Sequence, residues 1–181
     1  AVKDGWIIDL GTTEEMAEHV GPETRVIDLE GRVMLPAAND AHLHATLTGL
    51  RMGEGALDVG ATQSLAELKG VVAGAAKAAK PGQWIWGSGF MEFLYPELQA
   101  QGMRGVNRWD LDEAAPDVPV MLNDFGLHTL VVNSKALELA GITKDHPDLK
   151  PEEGVMERDP ATGEPNGRFF EWSSHHLIGN H

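Results

Sequence analysis

The sequence predicts an α/β fold, and three observations carry that reading. Short apolar runs of strand length recur along the chain, among them Val33-Met34-Leu35, Trp84-Ile85-Trp86 and Val120-Met121-Leu122. Helix signals lie between them, the clearest being Ser64 and Glu67 at capping-box spacing, followed by Leu65, Leu68, Val72, Ala75, Ala76 and Ala79 at helical period. The 181 residues are 42% hydrophobic, enough to build the core of one domain, or of one domain with a small lobe.

Taken in order, Val2 to Asp9 reads as a short strand with a turn. Thr12 and Glu15 then stand at a second capping-box spacing, opening a short helix through Met16 and Val20 that Gly21-Pro22 stops. Arg25 to Leu29 and Val33 to Leu35 read as strands separated by the Glu30-Gly31 turn. The helix from Ser64 ends at Pro81-Gly82. Trp84-Ile85-Trp86 is a buried strand leading into Gly87-Ser88-Gly89. A short helix spans Asn107 to Ala115 and ends at Pro116. Val120 to Leu122 is a strand, and Asn133 or Ser134 caps a helix through Leu139, with Gly141 as its C-terminal glycine. Thr143 to Glu153 is loop. Val155-Met156-Glu157 and Arg168-Phe169-Phe170 flank a turn rich in Pro, Gly and Asn, which predicts a hairpin.

Composition removes several function classes. Twenty-eight acidic against 14 basic residues give a net charge of −14, a field that repels nucleic acid and acidic membrane surfaces. No apolar run is long enough to cross a bilayer. With no cysteine, disulfides and thiolate metal sites are excluded, so any metal is held by His, Asp or Glu. The chain opens Ala1-Val2-Lys3-Asp4 without a secretory h-region, and the expected location is the cytoplasm. Gly87-Ser88-Gly89 lacks the helix start and basic residue of a phosphate loop.

The chemistry concentrates at Asp40-Ala41-His42-Leu43-His44. On a strand, residues at i, i+2 and i+4 share a face, which would converge two imidazoles above one carboxylate. Neutral imidazole suits divalent ions of borderline softness, and a nearby Asp can fix a ligand's tautomer. A bare HxH is also a common pair of ordinary histidines. The apolar run before it and Asp40 beside it are what favour the metal reading.

These residues also carry a resemblance. Val26 to Pro36 followed by Asp40 to His44 is similar to the entry of the barrel in the amidohydrolase superfamily, and within it to the YtcJ-like (amidohydrolase-3) branch. Four further blocks follow in the same order: Ser64 to Leu68, Gly82 to Gly89, His128 to Leu137, and Gly163 to Glu171. The resemblance implies a partial (β/α)8 TIM barrel with part of a flanking β-sandwich and an inserted α/β lobe. It divides the chain into 1–35 (sandwich), 36–60 (first barrel strand and metal-ligand loop), 61–165 (lobe) and 166–181 (second barrel segment). It implies metal ligation by His42, His44 and Glu171, with Asp40 behind them and His128 lining the substrate pocket.

The implied cofactor is a divalent metal, zinc, as one or two ions. The implied reaction is hydrolysis of a C–N bond, amide or N-formyl, in a small-molecule substrate by a metal-activated water. Deaminase and isomerase-like activities remain open within that class. The rival class is a non-catalytic binding module derived from an amidohydrolase.

The sequence departs from the family at Pro36-Ala37-Ala38-Asn39, where Gly and an apolar pair are expected before Asp40. A (β/α)8 barrel takes about 250 residues. The expectation is therefore an incomplete barrel without the late ligands and general base, inactive alone and prone to self-association through open edges. His175, His176 and His181 fall where the family has an ordinary helix and are not expected to bind the metal.

Overall fold

A computed structural model describes residues 1–35, 37, 39–51, 53, 55–171 and 178, and divides the chain into two compact units, Ala1–Leu43 and Leu43's successor His44 to His181. In the first unit, β1 (Val2–Lys3) and β2 (Trp6–Ile7) form an antiparallel hairpin, with Val2 opposite Ile7. Asp4 and Gly5 at its tip have φ of 51° and 81°, the paired left-handed conformation that matches a two-residue turn to strand twist.

The expected capping box is present at α1 (Thr13–Met16). Thr12 Oγ1 accepts the Glu15 N–H, and Glu15 Oε2 accepts the Thr12 N–H. The helix tightens into a 3₁₀ turn over Ala17–His19.

Two expected strands of this unit are corrected. Residues 25–29 and 33–35 form no strand. Their apolar side chains stand in solvent, with Val33 at 81% and Leu35 at 77% exposure. A strand exists only where neighbouring backbone takes up its N–H and C=O groups, and apolar sequence alone does not supply that partner.

The second unit is a six-stranded sheet in the order β3-β4-β5-β6-β8-β7. Its strands are β3 (Ala56–Asp58), β4 (Ile85–Phe90), β5 (Val120–Asp124), β6 (Thr129–Val132), β7 (Val155–Arg158) and β8 (Pro165–Phe170). The β3-β4 and β4-β5 pairs are parallel, whereas β5-β6, β6-β8 and β7-β8 are antiparallel. It follows that β3, β4, β5 and β8 run one way and β6 and β7 the other. The sheet joins segments read from the sequence as 36–60, 61–165 and 166–181. The chain is thus a mixed α/β protein.

The helices are α2 (Ala45–Arg51), α3 (Leu65–Ala78), α4 (Pro96–Ala100), α5 (Arg108–Asp112) and α6 (Ser134–Leu139). Ser64 caps α3 by accepting the Glu67 N–H, while Glu67 reaches back to Gln63 N–H rather than to the cap residue. Glu97 adds a second cap from a distance, accepting the Leu65 and Ala66 N–H groups.

Strand alternation sorts the core to two faces of the sheet. Ile85, Val120, Leu122 and Val131 pack with Leu65, Leu68 and Val72 of α3 and Leu111 of α5. Leu130, Val132, Met156 and Phe169 pack with Ala136 and Leu137 of α6.

Two buried polar groups tie the elements together. Asn133 is fully buried and donates to Ala115 O and Val118 O while accepting from Val120 N–H and Ala136 N–H. One side chain thereby caps α6 and closes the loop between α5 and β5. Arg168, on β8, makes a two-pronged contact with Glu92 at 2.8 and 2.9 Å, donates to Val106 O at 2.7 Å and pairs with Glu157 at 2.9 Å. A Cβ at Gly105 would overlap the guanidinium, so a side chain there would displace it. Among the described residues no helix is long and apolar enough to cross a membrane.

Candidate functional site

The strand directions bring the C-terminal ends of β3, β4, β5 and β8 to one edge, together with the N-terminal ends of β6 and β7. Asp124 ends β5, His128 precedes β6 and Glu171 follows β8, so these three occupy neighbouring places along that edge.

The local geometry fixes each of them. Asp124 Oδ1 accepts the Thr129 N–H at 3.0 Å, folding the tight β5-β6 connection back on itself. Thr129 pairs with Phe170, and the ladder extends one step further through the Glu171 N–H, which donates to His128 O at 2.9 Å. His128 Nδ1 lies 3.4 Å from Glu171 Oε2. Two residues that the resemblance singles out, 43 positions apart, are thereby brought side by side.

Glu171 has φ of 69°, a left-handed backbone uncommon for a non-glycine residue. Gly154 makes the crowding there possible: its own φ is 94°, and a Cβ on it would overlap the Phe170 carbonyl.

The histidine pair is arranged otherwise than the sequence suggests. Residues 40–44 form a bend and irregular backbone, not a strand, and His44 leads directly into α2, its carbonyl accepting the Thr48 N–H at 2.9 Å. The period-2 argument for convergent imidazoles therefore does not apply to this backbone. Asp40 Oδ1 accepts the His42 N–H at 3.0 Å, so this carboxylate holds the bend through the main chain. The physical cause is the one that dissolves the 33–35 strand: an inward-facing barrel strand needs a paired neighbour on each side. His175, His176, His181 and Trp172 lie outside the described residues, as do Pro36 and Ala38 of the divergent segment before Asp40.

These positions fall within a region of recognisable ancestry: residues 25–181 match the amidohydrolase family, Amidohydro_3. The chain belongs to the amidohydrolase family. YtcJ of Bacillus subtilis (strain 168) is 36% identical over 173 residues, covering 94% of this chain and 30% of that protein. N-substituted formamide deformylase of Arthrobacter pascens is 31% identical over 170 residues, with the same coverage of 94% and 30%. A crystal structure of an uncharacterized metal-dependent hydrolase from Pyrococcus furiosus is 28% identical and matches 78% of this chain and 24% of that one, with a TM-score of 0.47. The chain spans about 30% of the length of these curated relatives.

This amidohydrolase chain carries two polar groupings that the sequence reading did not single out. Ser88 and Asn123 are buried and face each other in register across β4 and β5, and Asn123 Nδ2 has no hydrogen-bond partner among the described residues. They sit one residue or more inside the edge that bears Asp124. Their only sequence signal is polarity just after apolar strand cores.

In the first unit, Asp9, Glu18 and His19 present ligand atoms within 4.8 Å of one another. His19 Nε2 lies 2.8 Å from Asp9 Oδ2, and this hydrogen bond holds the Asp9 carboxyl below its ordinary range. An Asp–His pair is a sufficient reason for that arrangement. Asp9 precedes α1 in the chain and His19 follows it, so no sequence spacing announces them.

Proposed function

We propose that this chain supplies the front part of the active centre of a metal-dependent amidohydrolase that cleaves a C–N bond, amide or N-formyl, in a small molecule. Within this reading the polypeptide of the relatives' length is a (β/α)8 barrel with a flanking β-sandwich, and the lobe between is inserted. The observation that carries the reading is the placement of Glu171 at the edge where four like-directed strands end, beside His128, inside the segment that matches the family. Active groups of α/β sheets collect at that edge because loops there are free to vary while strands hold their ends fixed.

The donor set fits a divalent ion of borderline softness. With no cysteine in the chain, His42, His44 and Glu171 offer two imidazoles and a carboxylate, the nitrogen and oxygen donors that zinc accepts. When bound, such an ion supplies an acidified water and a polarised carbonyl. The chain's own residues do the holding. Glu171 presents its carboxylate from a backbone pinned to His128 O, and Asp40 holds the bend that carries His42. The net charge of −14 disfavours polyanionic substrates.

The similarity to a deformylase of N-substituted formamides makes that substrate the first to try. Formate release from an N-substituted formamide, by a polypeptide of the relatives' length, should require added metal and should fall by orders of magnitude in Glu171→Gln. The 181 residues alone should give no turnover above a metal-only control. Metal-independent hydrolysis, or full activity in Glu171→Gln, would overturn the proposal.

A further inference from the structure

We propose that His128 is a positioning residue for Glu171, holding its carboxylate through Nδ1 rather than touching substrate. The inference rests on the reading of Glu171 as a metal-facing carboxylate and assigns His128 a different task from the pocket wall that the resemblance implies.

β6 and β8 are antiparallel and Thr129 pairs with Phe170, so residues 128 and 171 are the next opposed pair. The Glu171 N–H to His128 O bond at 2.9 Å keeps them opposed beyond the last regular pair. Directly opposed side chains on antiparallel strands stand close enough to interact, and here His128 Nδ1 and Glu171 Oε2 are 3.4 Å apart.

Burial does not fix these side chains, because His128 is 69% and Glu171 63% exposed. A long carboxylate in solvent samples several rotamers, so a ligand at this place needs a partner to narrow them. The backbone is already committed, with Glu171 at φ 69° over Gly154. Departure from the ordinary strand conformation at this one residue turns the chain out of the ladder where the carboxylate is presented.

The connection from Asp124 at the end of β5 to Thr129 at the start of β6 is short. Asp124 Oδ1 meanwhile accepts the Thr129 N–H, fixing the loop that carries His128. The imidazole is thus set by its loop on one side and turned to Glu171 on the other. Donation to a carboxylate requires the proton on Nδ1, which selects one tautomer of the neutral ring.

Two measurements on the full chain test this. Long-range 15N–1H correlation on the metal-free protein, with the imidazole neutral, reads the His128 tautomer. The wild type should carry the proton on Nδ1 and Glu171→Ala should lose that preference. A His128 proton on Nε2 in the wild type, unchanged in Glu171→Ala, overturns the pairing.

Calorimetric zinc titration then compares wild type, Glu171→Ala, His128→Ala and His128→Asn. Loss of an outer partner typically weakens metal binding roughly 10- to 100-fold, and that is the change expected for His128→Ala. His128→Asn keeps an amide N–H near the Nδ1 position and should recover affinity to within a few-fold of wild type, a rescue that loss of fold or loss of a direct ligand would not give.

Wild-type affinity in His128→Ala, with weakened binding in Glu171→Ala, overturns the positioning role and leaves the Glu171 reading intact. Wild-type affinity in Glu171→Ala, or no zinc binding by the wild type, removes Glu171 as a ligand and the positioning role with it.

Discussion

Replacing Arg168 by Met removes the cation that ties β8 to its surroundings while keeping an unbranched side chain of similar reach. Arg168 is 8% exposed at its side chain and holds Glu92 (24%) by two contacts, Glu157 (44%) by one, and the Val106 carbonyl by another. Removing one partner of a buried ion pair costs about 3–5 kcal/mol. The two carboxylates are partly wet, and Glu92 Oε2 keeps the Val106 N–H as a partner, so the low end applies. The expected loss is about 3 kcal/mol. For a chain of this size that lowers Tm by about 6–12 °C.

Urea unfolding of wild type, Arg168→Met, Glu92→Gln and the double variant measures it. The double variant should lose clearly less than the two single losses added, because both remove the same contact. A loss under about 1 kcal/mol in Arg168→Met, or simple additivity with Glu92→Gln, would refute the claim that this network anchors the strand leading to Glu171.

Asn133→Ala should cost about 3–4 kcal/mol, since four backbone groups, most of them buried, lose their partner at once; thermal unfolding reads it. Gly154→Ala combines a φ of 94° with overlap on the Phe170 carbonyl, and should destabilise by about 2 kcal/mol or more and weaken the protection of the Glu171 amide in hydrogen exchange. Asp159 is held below its ordinary pKa of 3.8, first by the Thr162 N–H and then by the Thr162 hydroxyl and the Ala161 N–H. A depressed carboxyl stabilises the fold above its unfolded pKa, and that contribution is lost as pH falls through the lower folded value. NMR should therefore show the 159–163 turn loosening only at pH below 3.8, and Asp159→Ala should abolish that step.

The elements legible in the sequence were those whose signals are local. Thr12 with Glu15, Ser64 with Glu67, and Asn133 with Gly141 mark helix ends by hydrogen bonds within one turn, and each of these ends is where the spacing places it. The β7-β8 hairpin was legible for the same reason, its turn being written in Pro160 and Gly163. Strand β4 extends through Gly87 to Phe90 rather than ending at Trp86, because Gly87 has no room for a side chain beside the Leu57 carbonyl and so belongs inside the sheet.

What failed was what depends on a partner. Val33-Met34-Leu35 and Asp40 to His44 have the pattern of a buried strand, yet no described strand pairs with them, and the pattern yields exposed coil and a bend. Strand β6 has a weak sequence signal although Thr129-Leu130-Val131-Val132 is largely apolar and β-branched, since it sits in a tight return after Asp124 with no turn glycine beyond Gly126. The meeting of His128 with Glu171 could be read only once β6 and β8 were known to be neighbours, a fact of topology rather than of spacing. The glutamate and both histidines were singled out through the resemblance and the HxH spacing, not through any property of their own.

The central claim is that His42 and His44 hold the metal. Calorimetric titration of zinc into the wild-type chain and into the His42→Ala, His44→Ala double variant tests it most directly. Weak binding by the wild type, from two imidazoles and one carboxylate, and loss of that binding in the double variant are the predicted results. Equal binding by both would contradict it and would move the ion elsewhere, with the Asp9, Glu18 and His19 group as the place to look.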